Sequence, residues 1–279
     1  CGQKSEKEKF AGARATYSME AMMQDGKALQ AGTSHNFGTN FAEAFAIQYL
    51  SKEGNLQYVY ETSWGVSTRL IGAIIMTHGD ERGLRLPPQV APIQAVILPI
   101  AAHKPGVLEG AERIRAALQG VGLRVKLDDR DTYSAGWKFN EWELKGVPLR
   151  LEVGPRDLEA GQVTAVRRDT FEKIALPLEG LEHAVQSLLA DIQQTMLAQA
   201  EAFRVAHTRE VHTMDELEET VQTGFAKAMW CGERACEDLI KERTNASSRN
   251  MPFDQQPIGD VCVCCGKPAR KVMYFAKAY

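Results

Sequence analysis

The clearest alternation of apolar and polar positions lies in the middle of the chain. The run APIQAVILPI at residues 91–100 is almost continuously apolar, which predicts a short strand buried on both faces. Residues 107–118 carry apolar positions at helical spacing and predict an amphipathic helix with Leu108, Ile114 and Leu118 inward. The stretch LRVKL at 123–127 alternates with period two, residues 137–145 read as helix, and VPLRLEV at 147–153 and QVTAVR at 162–167 read as strands. A long helix from 181 to about 207 follows, with Leu188, Leu189, Ile192, Met196 and Leu197 on its apolar stripe. Strands separated by helices of this length predict an α/β sheet with parallel pairs joined right-handedly.

The pattern divides the chain into three regions. Residues 1–88 mix charged and apolar stretches and close on Leu-Pro-Pro at 86–88, a rigid extended punctuation. Residues 89–204 hold the strand-and-helix alternation, and residues 205–279 form a smaller cysteine-bearing module. The expected class is a multidomain α+β and α/β chain. Residues 245–260, rich in Asn, Ser, Pro and Gln, read as a loop.

Composition adds little to this picture until the cysteines are placed. Over 279 residues, 44% are apolar and 25% charged, ordinary for a folded chain of several cores. A net charge of −3 argues weakly against a nucleic-acid binder, because basic residues need concentrate on only one face. No apolar run approaches the length of a membrane span and no signal peptide is visible, so the expectation is a cytoplasmic protein with reduced thiols. Five of the six cysteines fall after residue 230. Cys231-x4-Cys236 and Cys262-x2-Cys265 form two short-spaced pairs, the pattern of a closed tetrahedral zinc site. Cys264 is the competing thiol, and five buried thiols without metal are the plain alternative.

Three further segments carry chemistry. QAGTSH at 30–35 gathers an amide, two hydroxyls and an imidazole around a glycine that lets a ligand approach the backbone. SWGVSTRLIG at 63–72 ends a small polar stretch in Arg69, a planar cation suited to phosphate. Read alone, Arg69 is either a phosphate contact or a surface arginine pairing with Glu61 or Asp80. His35 is equally a satisfied structural histidine, and the charge run at 4–9 a solvated face. His78 reads as a loop residue. GWKFNEWELKGVPLRLEVGPRD at 136–157 interleaves aromatic and charged side chains in the manner of proteins that grip unpaired RNA bases. Trp137 and Trp142 fit the core as well as they fit a base.

These segments resemble the prolyl-tRNA synthetases, class II aminoacyl-tRNA synthetases, and the resemblance covers essentially all 279 residues. The second segment looks like the third signature motif of that class. The resemblance implies a remnant of the antiparallel catalytic sheet in 1–88, an anticodon-binding domain in 89–204 and a zinc-binding C-terminal domain in 205–279. It implies ATP, with Mg2+, held by Gln30, Thr33, Ser67 and Arg69, and proline contacted by His35. It implies tRNA(Pro) as partner, with Glu143 or Asp157 accepting from guanine N1 and N2, and Arg156 or Arg168 donating to O6. Zinc on Cys231, Cys236, Cys262 and Cys265 and a terminal tyrosine, here Tyr279, mark the archaeal- and eukaryote-like type, with a homodimer as the complete enzyme. No protein nucleophile is needed, because proline's own carboxylate attacks ATP. The chain opens at Cys1 and the first two class II motifs are not found in it, so the resemblance implies the C-terminal portion of a longer enzyme. The rival expectation is a non-catalytic RNA-binding accessory protein of the same architecture.

Overall fold

A computed structural model describes all of residues 1–279. The chain folds as two compact units, one built from Cys1–Thr77 together with Phe203–Tyr279 and the other from His78–Ala202.

In the first unit, a five-stranded antiparallel sheet runs in the order Met251–Pro252, Gly2–Gln3, Ala15–Met22, Ala28–Gly38, Glu61–Gly65. The region read from sequence as a loop thus supplies an edge strand to residues from the start of the chain. Ser248, at the end of the first of its two short strands, and Arg249 and Asn250 between them are buried. A second, four-stranded sheet has the order Thr208–Val211, Phe225–Trp230, Lys271–Ala276, Ser247–Ser248, its first pair parallel and the others antiparallel. Its core includes Val211, Leu217, Met229, Trp230, Ile240, Met273 and Phe275, all at most 2% exposed. Thr213 and Glu216 form a reciprocal cap on the helix Met214–Thr220, satisfying donors that the helix itself leaves free.

The second unit centres on a mixed sheet in the order Lys173–Pro177, Gln162–Arg167, Leu149–Val153, Ala95–Pro99, Val125–Leu127. The strand Ala95–Pro99 is parallel to both neighbours, and the remaining pairs are antiparallel. Ala95 and Ile97 face one core with Ile114, Leu118, Leu189 and Ile192, while Val96 and Leu98 face another with Trp142 and Val147. Burial on both faces is why this strand reads as an unbroken apolar run.

The helix Val107–Gly120 covers the first face, but Leu108 is 39% exposed and Val107, Gly110 and Ala111 pack instead. Likewise Leu197 on the helix Leu181–Ala206 is exposed, while Leu189, Ile192 and Met196 are buried. The strand Lys173–Pro177 had no distinct signal, lying as an edge with only Leu176 buried. Gly146, at φ +69°, turns the chain from the helix Ala135–Leu144 into the sheet. A Cβ there would meet the Leu84 backbone at 2.7 Å.

Candidate nucleotide, RNA and metal sites

A one-residue irregularity organises the nucleotide-site candidates. Strands Ala15–Met22 and Ala28–Gly38 pair Glu20 with Gln30 but Met19 with Gly32, leaving Ala31 without a partner. Beyond this bulge Ser18 pairs with Thr33 and Thr16 with His35. Glu20, Ser18 and Thr16 alternate along one face of their strand, so the bulge puts Gln30, Thr33 and His35 on that same face. Plain alternation would have separated Gln30 from the other two. The Thr16 hydroxyl lies 3.0 Å from His35 Nδ1, and Phe10 packs 4.9 Å from the imidazole.

The sheet continues to Glu61–Gly65, which sets Gly65 opposite Thr33 and delivers Ser67 and Arg69 to the start of the helix Arg69–His78. Ser67 Oγ accepts from the Arg69 N–H at 3.3 Å, closing the turn into the helix. Leu70, Ala73 and Met76 anchor that helix on Met23 and Leu29, while Arg69 itself stays exposed. An arginine at the first position of a ten-residue helix adds its charge to the unpaired N–H groups of the helix start, a pairing suited to polyphosphate. Asp80, the sequence-level alternative partner, is engaged elsewhere.

The same face carries a charged cluster that sequence reading missed. Lys4, read as part of a solvated run, is 4% exposed, and its Nζ donates to Glu20 Oε1 at 2.7 Å. Arg249 donates to Glu20 Oε2 through Nε at 3.1 Å and Nη2 at 2.7 Å. Burial opposes the Glu20 charge, but the two cations outweigh it and hold the carboxyl below the usual carboxylate range. Burial pushes the Lys4 ammonium down, since it shares its one carboxylate with Arg249. Glu20→Gln leaves two buried cations uncompensated and is expected to cost about 3 kcal/mol at neutral pH. A depressed folded pKa gives stability that is present above the unfolded value and lost as pH falls through the folded one. Urea melts should therefore separate wild type from E20Q near pH 7 and converge in acid; equal stability at pH 7 would count against the cluster.

His78 ends the preceding helix, and burial followed by Arg85 lowers its pKa, which keeps it neutral.

In the second unit, the Arg150 guanidinium lies 4.1 Å over the Phe139 ring. It donates to Glu143 Oε1 at 2.8 Å and to Glu152 Oε1 at 3.0 Å. Glu143 thus sits in a polar cluster with an aromatic floor, with Arg82 at 3.4 Å on its other oxygen. Asp157 accepts from the Gly154 N–H at 3.0 Å and from Thr164 Oγ1 at 3.2 Å, while its neighbour Arg156 is exposed.

Arg168 requires a correction. It is 4% exposed, donates to both oxygens of Asp80 at 2.7 and 2.6 Å and to the Glu143 carbonyl at 2.9 Å, and has no fork left for a base. These bonds hold the Asp80 carboxyl below its ordinary pKa. The two tryptophans divide: Trp142 is buried with its Nε1 on Asp128 Oδ2 at 2.8 Å, whereas Trp137 is 43% exposed. Arg150 and Phe139 were missed because their partners come from separate elements.

Cys231, after the strand Phe225–Trp230, Cys236, in the helix Arg234–Thr244, and Cys262 and Cys265, in a tight turn, place their sulfurs within 4.8 Å of one another. Sulfurs of a tetrahedral site with bonds of about 2.3 Å stand roughly 3.8 Å apart. The Cys231–Cys236 and Cys231–Cys265 separations are 3.6 and 3.9 Å and every pair falls within 4.8 Å, so the donor set suits zinc with small side-chain adjustments. The turn is closed by Cys262 N–H to Lys267 carbonyl at 2.8 Å and Gly266 N–H to Cys262 carbonyl at 3.0 Å. Cys264 falls outside the four. The Lys267 N–H donating to Cys265 brings that thiol down to about 7, and burial pushes Cys236 up.

No helix is long and apolar enough to cross a membrane. Residues 94–188 match the anticodon binding domain model and residues 214–279 the model for the prolyl-tRNA synthetase C-terminal domain. The whole chain is 58% identical to the proline–tRNA ligase of Clostridium novyi, and 56% identical to that of Lachnospira eligens. It is 54% identical to proline–tRNA ligase 2 of Bacillus cereus. In each case all of this chain aligns, and it spans 58% of the relative's length. A match to the anticodon binding domain, a match to the prolyl-tRNA synthetase C-terminal domain and this end-to-end identity make the chain similar over its whole length to prolyl-tRNA synthetases.

Proposed function

We propose that this chain is part of a proline–tRNA ligase, which activates proline with ATP and transfers it to tRNA(Pro). The observation that carries the reading is the bulge at Ala31, which gathers Gln30, Thr33 and His35 on one face of a sheet whose edge strand leads to Arg69. In this reading residues 1–88 are part of a class II catalytic domain, 89–204 read the anticodon, and 205–279 are the zinc domain.

The chemistry asks for positioning and charge stabilisation. A carboxylate oxygen of proline attacks the α-phosphorus of ATP, the bond to the bridging oxygen breaks and pyrophosphate leaves; the prolyl group then passes from the adenylate to a ribose hydroxyl of tRNA. Gln30, Thr33 and Ser67 hydrogen-bond the nucleotide, His35 contacts proline, and Arg69 with the helix start holds the polyphosphate charge. Mg2+ enters with ATP as part of the substrate. Cys231, Cys236, Cys262 and Cys265 hold one zinc ion, whose four protein ligands leave no position for substrate, so its contribution is to the fold. The active protein is a cytoplasmic homodimer. A non-catalytic RNA-binding protein of the same architecture gives no physical reason to keep Gln30, Thr33, His35 and Arg69 together.

At the anticodon, Glu143 and Asp157 accept from guanine edges and Arg156 donates, contacts made only with tRNA present. In the longer protein containing this chain, Glu143→Ala and Arg156→Ala should each lower the kcat/KM for tRNA charging about tenfold or more. Proline-dependent exchange of pyrophosphate into ATP should stay at the wild-type rate. Equal loss in both assays would make these residues structural.

A further inference from the structure

The loop after the strand Val125–Leu127 carries a feature that neither the nucleotide face, the Glu143 cluster nor the cysteine site uses. Tyr133 and Trp137 stack on each other, ring centroids 3.9 Å apart and 13° from parallel, and each is 43% exposed. Two large aromatic rings left in water in this way forgo burial worth about 1.5–3 kcal/mol apiece.

Their support is firm. Ser134 caps the helix Ala135–Leu144 by accepting from the Trp137 N–H, which fixes the backbone of both rings. Arg130 lies 5.0 Å from the Tyr133 ring and 5.5 Å from the Trp137 ring. Its guanidinium is bonded to Asp128 at 2.8 and 2.7 Å and to Glu141. Asp128 is itself held by Trp142 Nε1 at 2.8 Å, and the Lys138 ammonium donates to its carbonyl at 3.2 Å. The ledge is therefore pre-organised, and a ligand that stacks on it orders little that is not already ordered.

We propose that the Tyr133–Trp137 ledge is a stacking platform for one unpaired base of the bound tRNA, additional to the contacts of Glu143, Arg156 and Asp157. The ledge and exposed Arg156 both follow the C-terminal ends of parallel strands, Val125–Leu127 and Leu149–Val153, the edge at which open α/β sheets bind ligands. Arg130 is neutralised by two carboxylates, and Asp129 and Asp131 beside it are exposed. That balance disfavours a phosphate on the ledge and leaves the ring faces as the attraction, a mode that tolerates any base. A purely apolar protein partner would gain nothing from the fixed parallel ring geometry.

The proposal rests on the tRNA reading above, and its test separates the two. The probe is a fluorescein-labelled RNA stem-loop whose unpaired loop contains two adjacent guanines; a fully paired duplex of equal length is the control. Binding to the full 279-residue chain is read by anisotropy across a salt series. Trp137→Ala should weaken stem-loop binding about tenfold, the loss of one stacked base, without changing the salt slope. Trp137→Phe should restore most of it and Tyr133→Phe should bind as wild type, which a folding defect would not reproduce. Arg156→Ala should weaken binding independently. Wild-type binding by Trp137→Ala alongside a weakened Arg156→Ala overturns the platform and leaves the anticodon reading standing. No preference of wild type for the stem-loop over the duplex overturns both.

Discussion

Replacing Cys231 by serine is expected to abolish zinc binding and to unfold or loosen the region after residue 205, leaving the sheet around Ala95–Pro99 intact. The four sulfurs already lie within 4.8 Å of one another, two of the separations at the tetrahedral value, and a structural zinc contributes on the order of 10 kcal/mol to folding. The knuckle holding Cys262 and Cys265 has few apolar contacts of its own beyond Val263 and Ala269, and three separated segments converge on the site. Loss of one thiolate should therefore be felt beyond the turn. Cys264→Ser should keep one zinc per chain, because Cys264 lies outside the converging set. Elemental analysis of purified protein and hydrogen exchange of the 205–279 backbone check both halves. Absence of zinc from wild type, or its loss from the Cys264 variant and retention in the Cys262→Ser variant, would contradict the assignment.

What could be read from sequence, and what could not, follows from the range of the interactions. The helix Leu181–Ala206 and the strand Gln162–Arg167 declared themselves because one periodicity runs their whole length. The cysteine pairs were legible because chelation constrains local spacing. Leu108 was misassigned because one added apolar residue beside Val107 leaves the helical stripe ambiguous by a rotation. The side of the sheet on which Gln30 falls was hidden, since a bulge at Ala31 is a property of two paired strands. Lys4, Glu20 and Arg249 were invisible for the same reason on a larger scale: 229 residues separate Glu20 from Arg249. Arg168 looked like a free cation because its partner, Asp80, is 88 residues away.

In an enzyme of the relatives' full length that carries this chain, Arg69→Ala is expected to reduce proline activation by about a hundredfold or more, the usual scale for removing one charged or hydrogen-bonding group aimed at developing charge. Arg69 is exposed at the first turn of its helix, and nothing in its surroundings requires it for stability, so the melting temperature should hardly move. The direct measurement is exchange of labelled pyrophosphate into ATP by the longer protein, run with each amino acid in turn and repeated with the Arg69→Ala variant. Proline-dependent exchange, falling sharply on Arg69→Ala while Cys264→Ser exchanges normally, is the predicted result. Absence of exchange with proline by a folded, zinc-loaded protein, or an undiminished rate in the Arg69→Ala variant, would contradict the account.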